Sequence, residues 1–127
     1  MPQIGPGNIA CYNGHADFGR ELITSDPSDR YNFRTPPLRN VALTAPYGHD
    51  GAYPNLRQVI NHHLDPINSF NNYQCDKSPK LQSRTDLNEK DCVIMNHQDS
   101  KTAIVSANEL SPMILSNKQL NQLIAFL

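Results

Sequence analysis

Five histidines are the residues of this 127-residue chain most able to do chemistry, and three of them stand close together in the sequence. His49 lies in the glycine-bearing segment 46–51, and His62 and His63 form a pair shortly after it. Imidazole exchanges a proton near neutral pH and is also the commonest metal ligand in proteins. Residue type alone therefore allows a zinc or other metal site built from His49, His62 and His63.

The histidine pair lies in a predicted amphipathic helix. Asn55 is a good N-cap, and Gln58 stands three residues later, as in a capping box. Apolar residues follow at helical spacing, namely Leu56, Val59 and Ile60. His63 continues that spacing, so we expect it to point into the core, with His62 on the flank of the apolar stripe. Pro66 should end the helix, because the residue before a proline is pushed out of the helical region.

A histidine that points into a core has two explanations. It either satisfies its ring nitrogens with neighbouring groups or binds a metal, because a buried polar atom without a partner costs about 1–3 kcal/mol. Spacing alone favours the first explanation for His63, namely a core histidine whose ring nitrogens are hydrogen-bonded to neighbouring groups. For His49, Gly48 and Gly51 permit close approach of the backbone to a ligand. A turn histidine bonded to Asp50 is the alternative there.

The elements that must position these residues are short helices and long loops. Residues 36–46 hold three prolines and only a brief apolar run, so we expect an ordered, buried loop there, within a ligand-lining stretch over residues 33–51. A last helix is predicted from Ser116, where Gln119 completes a second capping-box pattern. Its apolar stripe consists of Leu120, Leu123, Ile124 and Leu127. Since no repeated strand pattern occurs, the sequence predicts an all-α fold.

Composition excludes several classes of function. A net charge of −1 with interspersed signs gives no basic stripe for nucleic acid. The apolar runs are far shorter than the roughly 20 residues that span a bilayer, and the first residues show no signal-peptide pattern. Cys75 and Cys92 bracket a polar loop that a disulfide could close in an oxidising compartment. Free thiols are the alternative, and Cys11 would remain unpaired.

Residues 33–51 read FRTPPLRNVALTAPYGHDG and residues 56–63 read LRQVINHH. Together they resemble the carboxy-terminal haem domain of the di-haem cytochrome c peroxidases and their MauG-like relatives. The resemblance runs over most of the chain except about residues 67–105. It implies one partial cytochrome c-like domain over residues 1–127. The motif Cys-x-x-Cys-His, which attaches haem c and supplies its proximal histidine, does not occur in the sequence.

The resemblance also implies roles for individual residues. His63 matches the distal axial ligand of the haem iron, a position commonly occupied by Met in the bacterial peroxidases and by Tyr in MauG. His49 and Tyr47 would line the haem pocket, and Arg39 would bind a haem propionate through charge-assisted hydrogen bonds.

A calcium site and a set of partners follow from the same resemblance. Thr44 and Pro46 match positions whose backbone carbonyls bind calcium between two haem domains. The implied activity is that of a cytochrome-c peroxidase-type oxidoreductase acting on hydrogen peroxide, in which this piece relays electrons and has little activity alone. The implied partners are an amino-terminal haem domain of the same protein and a small electron-donor protein, in the periplasm. A homodimer is an open alternative, as is a non-catalytic, haem-free interaction module that keeps the scaffold.

Overall fold

The computed structural model describes residues 17–77 and 90–127. Within these ranges the regular elements are helices, joined by long loops, and the strand-like pairings are two isolated bridges. The all-α fold class predicted from the sequence is therefore confirmed. The α-helices are α1 Glu21–Thr24, α2 Leu56–Leu64, α3 Pro66–Asn71, α4 Lys90–Asn96, α5 Gln98–Ser106 and α6 Asn117–Phe126, and the short 3₁₀ turns are Pro27–Asp29, Val41–Leu43 and Cys75–Lys77.

Caps define the ends of the central helices. The Asn55 side chain accepts a hydrogen bond from the backbone N–H of Gln58 at 3.0 Å, which starts α2 as predicted. Asp65 ends α2, and its side chain caps α3 by accepting from the N–H of Asn68. Pro66 occupies the first turn of α3, where a missing N–H costs nothing. A short, fixed corner between α2 and α3 results.

Helix α2 is buried on two opposite sides. Ile60 and His62 are its buried residues, and two positions apart in a helix they point in nearly opposite directions. Leu56 and Val59, which lie between these directions, are half-buried against the core. His63 shares their face but lies in the last turn, where its ring is exposed. The prediction that His63 points inward is wrong, because the core does not reach that end of the face.

One apolar cluster holds the described parts of the chain together. Its buried members are Tyr31, Tyr47, Ala52, Tyr53, Phe70, Ile94, Met95 and Ile104. Half of them come from residues 67–105, the segment outside the resemblance. The described parts of that segment, residues 67–77 and 90–105, therefore pack as part of the same core as the loop that precedes α2.

Residues 33–51, called the rim below, are mostly exposed. Phe33, Val41 and Tyr47 contact the core, but Leu43 is 84% exposed and Leu38 is 59% exposed. The prediction of a buried loop is therefore wrong. A proline-rich backbone offers few apolar side chains, and the ones between its three contact points face solvent.

The last helix forms as predicted. Ser116 and Gln119 make a reciprocal capping box, and Leu120 is the buried residue of α6. The guanidinium of Arg57 donates to the side-chain oxygen of Asn121, so a polar contact joins α2 to α6.

Cys75 and Cys92 form a disulfide, with their Cα atoms 5.2 Å apart. It joins the turn Cys75–Lys77 to α4, and α4 in turn packs against α5. Both helices are shorter than the roughly 12–15 residues that a helix needs for stability on its own in water. The covalent link therefore helps to hold these two helices on the core.

Reduction of this disulfide should destabilise the fold. The sequence separation of 17 residues gives a chain-entropy contribution of about 3 kcal/mol. We expect urea unfolding with and without a dithiol reductant to differ by about that amount. The Cys11→Ser variant should keep the full difference and Cys92→Ser should abolish it. Equal stability of the oxidised and reduced chains would contradict the assignment of this disulfide as a structural link.

Candidate functional site

The exposed ring of His63 has one nitrogen fixed by its own helix. Nδ1 lies 2.8 Å from the carbonyl oxygen of Val59. A carbonyl only accepts hydrogen bonds, so Nδ1 carries the proton and the neutral ring has its lone pair on Nε2. Metal-binding histidines show this arrangement, in which a backbone carbonyl fixes the tautomer through the second nitrogen. His63 is therefore prepared to bind an electron-pair acceptor that approaches from outside α2.

His62 is the buried histidine of the pair, with 1% of its surface exposed. Its ring packs on Tyr53 with centroids 5.1 Å apart and meets His63 edge-on at 5.7 Å. Among the described residues, Nδ1 of His62 has no hydrogen-bond partner. Burial, and secondarily the nearby His63, lower the pKa of His62 to about 4. His62 is therefore neutral at physiological pH.

Tyr53 connects the rim to the helices, and sequence reasoning missed it. Its backbone pairs with that of Tyr47 through N–H to oxygen distances of 2.7 and 3.0 Å. Its hydroxyl lies 3.0 Å from Oγ of Ser69 in α3. Gly48 and Gly51 have φ values of +92° and +74°, so they form the turn that makes the pairing possible. The sequence does carry a signal for this pairing, because Tyr47 and Tyr53 flank a segment that contains Gly48 and Gly51.

His49 lies in a group of carboxylates at the base of the rim. Its Nε2 is 3.1 Å from Oδ2 of Asp17 and 3.5 Å from Oδ1 of Asp50. Its ring packs on Phe33 with centroids 3.9 Å apart. Burial lowers the pKa of His49, and the hydrogen bond to Asp17 opposes that effect without cancelling it. The turn-histidine alternative is thus supported, with Asp17 as the closer partner, and a role beside haem stays a prediction.

The remaining predicted site residues lie along the rim. Tyr47 is buried, and its hydroxyl donates to the carbonyl of Ala42 at 3.1 Å. Arg39 is exposed, and the described part of the chain gives it no ion pair. Thr44 and Pro46 are also exposed, so their carbonyls lie on an accessible stretch of backbone. Tyr47 therefore supports the rim, while Arg39 is accessible to a carboxylate from outside.

Two negative findings apply to residues 17–77 and 90–127. No group of three or more His, Cys, Asp or Glu side chains is placed to hold a metal ion there. The zinc hypothesis for His49, His62 and His63 is therefore not supported. Among the same residues, no helix has the length and apolar character needed to cross a membrane.

Comparison with known proteins found partial matches. The chain is 52% identical over 44 residues to cytochrome c551 peroxidase of Pseudomonas aeruginosa, covering 35% of this chain and 13% of that protein. It is 45% identical over 76 residues to cytochrome c551 peroxidase of Nitrosomonas europaea, covering 44% of this chain and 23% of that protein. It is also 49% identical over 35 residues to the methylamine utilization protein MauG of Paracoccus denitrificans, covering 28% of this chain and 9% of that protein.

These matches confirm the resemblance noted in the sequence. The matched part corresponds to less than a quarter of the length of each of these relatives. No protein-family model matches the chain, and no solved structure matches it.

The burial of His62 predicts a pH-dependent stability. A histidine whose pKa is lower in the folded chain binds fewer protons there, so its stabilising contribution is complete above pH 6.5 and is lost as the pH falls toward 4. Between pH 8 and pH 5 this loss amounts to about 2 kcal/mol. Urea unfolding at both pH values measures it.

The matched variants are His62→Leu and His97→Asn. The first should reduce the pH-dependent loss by about 2 kcal/mol, because the titrating group is gone. The second changes an exposed histidine that caps α5, replaces it with another good cap, and should keep the loss. A His62→Leu chain with the same pH dependence as the parent would show that His62 is not buried in its neutral form.

Proposed function

We propose that this chain, a relative of the di-haem cytochrome c peroxidases and MauG-like proteins through its matched segment, is part of a peroxidase-type oxidoreductase. In this proposal it forms the distal wall of the electron-relay haem, and Nε2 of His63 is the axial ligand of the iron. The supporting observation is the exposed ring of His63, whose Nδ1 is held by the Val59 carbonyl. That arrangement directs the ring's lone pair away from its own helix.

The surroundings of His63 fit a haem. Leu56 and Val59 lie on the same face of α2 and are half-buried, so they offer apolar surface beside the ligand. The N–H of Met113 donates to the carbonyl of Leu64 at 2.7 Å, which brings the backbone at Met113 to the end of α2. A bound haem would supply one-electron chemistry, and an imidazole in place of a thioether ligand lowers its potential.

Other residues have supporting roles in the proposal. Arg39 binds a propionate, for which its exposed guanidinium is suited. Tyr47 and His49 hold the rim in place beside the haem. The carbonyls of Thr44 and Pro46 contribute to a calcium site completed by another domain. The covalent attachment of haem c then comes from a Cys-x-x-Cys-His motif outside residues 1–127, which form one partial domain.

The relatives' names supply the rest of the proposed context. The complete protein reduces hydrogen peroxide, and this domain passes electrons to an amino-terminal haem domain after receiving them from a small donor protein. We place it in the periplasm, where the disulfide between Cys75 and Cys92 would persist. Alone, the chain should have little peroxidase activity.

One observation favours a second candidate function, a haem-free interaction module. Several large apolar side chains are strongly exposed, among them Leu43, Ile114 and Phe126. Where such side chains form one contiguous patch, the patch is often a binding site for a protein partner. Under this alternative, the chain would bind that partner and would not bind haem.

Haem titration tests the proposed function. Ferric haem added to the purified chain should give the absorption spectrum of an imidazole-ligated iron, high-spin because His63 supplies one of the two axial ligands. His63→Ala should lose that spectrum and bind haem roughly tenfold or more weakly, whereas His97→Asn should behave like the parent. Identical spectra for the parent and His63→Ala would reject His63 as the ligand. No haem binding by the parent would favour the interaction module.

A further inference from the structure

Four aromatic rings follow one another in contact and end at His63. They belong to Tyr73, Tyr53, His62 and His63, and are called the ring row below. The successive centroid distances are 6.3, 5.1 and 5.7 Å. All three lie within the range of contacting aromatic pairs. The other ring contacts among the described residues, Phe18 with Tyr31 and Phe33 with His49, do not join this row.

We infer that the ring row is an electron path between the surface at Tyr73 and a metal centre bound at His63. The metal end of the path rests on the proposed function. Electron transfer weakens steeply with distance and is poorest across empty gaps, so packed rings couple two distant sites better than an equal length of loosely packed side chains. The row gives residues 67–105 a role, because Tyr73 belongs to that segment.

The middle of the row is rigid and dry. Tyr53 is held by two backbone hydrogen bonds to Tyr47 and by the contact of its hydroxyl with Ser69. Tyr53 is 9% exposed and His62 is 1% exposed, so almost no water has to reorganise when charge passes.

The two ends of the row are accessible. Tyr73 is partly exposed, and Cys75, two residues later, is anchored by the disulfide to α4. His63 is exposed at the other end. In the proposed reaction a small one-electron donor in contact with Tyr73 loses one electron, and the metal at His63 gains it. No bond changes, and no proton moves within the row.

The path can be tested in the metal-free chain with a photo-oxidant. A ruthenium bipyridine complex coordinates exposed imidazoles, so it should label His63 in a chain that carries His15→Gln and His97→Asn, with the label located by mass mapping. Laser flash oxidation to Ru(III) starts the reaction. Ru(III) is a stronger oxidant than the metal centre of the proposed reaction, so Tyr53 itself gives one electron to Ru(III) and releases its phenolic proton to solvent. The measured quantities are the rate of Ru(III) reduction and the absorbance of the tyrosyl radical.

The variants distinguish the effect of the ring row on the rate of Ru(III) reduction from that of other buried residues. Tyr53→Phe should slow Ru(III) reduction at least tenfold, because the ring remains but can no longer be oxidised. Ser69→Ala removes the same hydroxyl contact and keeps the phenol, so it should stay within about threefold of the parent. Tyr31→Phe, in a buried tyrosine outside the row, should leave the rate unchanged. Tyr73→Phe should leave the first step intact and slow the quenching of the radical by added ferrocyanide.

The outcomes decide between the row and a non-specific route. No tyrosyl radical in the labelled parent would overturn the inference, as would equal rates for the parent and Tyr53→Phe. Equal slowing by Tyr31→Phe and Tyr53→Phe would show that oxidation spreads through the core without a preferred path. Circular dichroism of each variant confirms that it is folded. Because no haem is present, failure here leaves the haem titration unaffected, and failure of that titration leaves this rate measurement unaffected.

Discussion

The packing of His62 on Tyr53 is the contact on which the described structure depends. Tyr53 is paired through its backbone with Tyr47 in the rim, and its hydroxyl contacts Ser69 in α3. The ring of His62 joins α2 to this arrangement and is almost entirely removed from water. Without that contact, α2 would be held by Ile60, by the half-buried Leu56 and Val59, and by the Arg57–Asn121 contact. The direction in which His63 points is therefore set by its neighbour in the sequence.

This dependence explains which parts of the structure could be predicted. Caps act through hydrogen bonds within three or four residues, so Asn55 and Ser116 could be recognised as helix starts from sequence alone. The burial of a helix face depends on what lies beside it, and helical spacing gives no information about that. The stripe of Leu56 and Val59 was located correctly, but the elements that pack on both flanks of α2 were not visible in the sequence. The wrong histidine of the pair was consequently predicted to be buried.

The segment 67–105 shows the same limit at a larger scale. It is polar, without a continuous apolar period, and the resemblance does not cover it. Its contribution to the core comes from isolated residues: Phe70 in α3, and Ile94, Met95 and Ile104 in the short helices α4 and α5. The disulfide that helps to hold those helices could be named as an option from Cys75 and Cys92, but the spacing of two cysteines does not show that they pair. The packing of these core residues and the pairing of the two cysteines both depend on contacts between residues distant in sequence, which no local sequence pattern encodes.

The polarity of His62 is a cost that packing does not explain. A leucine or phenylalanine in its place could fill the same space beside Tyr53 without burying an unpartnered nitrogen, which costs about 1–3 kcal/mol. A buried polar group of this kind calls for an explanation beyond stability. The lowered pKa of His62 keeps its ring uncharged, and its position places a neutral π system between a fixed tyrosine and an exposed histidine. His62 therefore both carries the costly unpartnered nitrogen and forms the middle of the ring row. A residue kept at such a cost to stability is expected to serve a function.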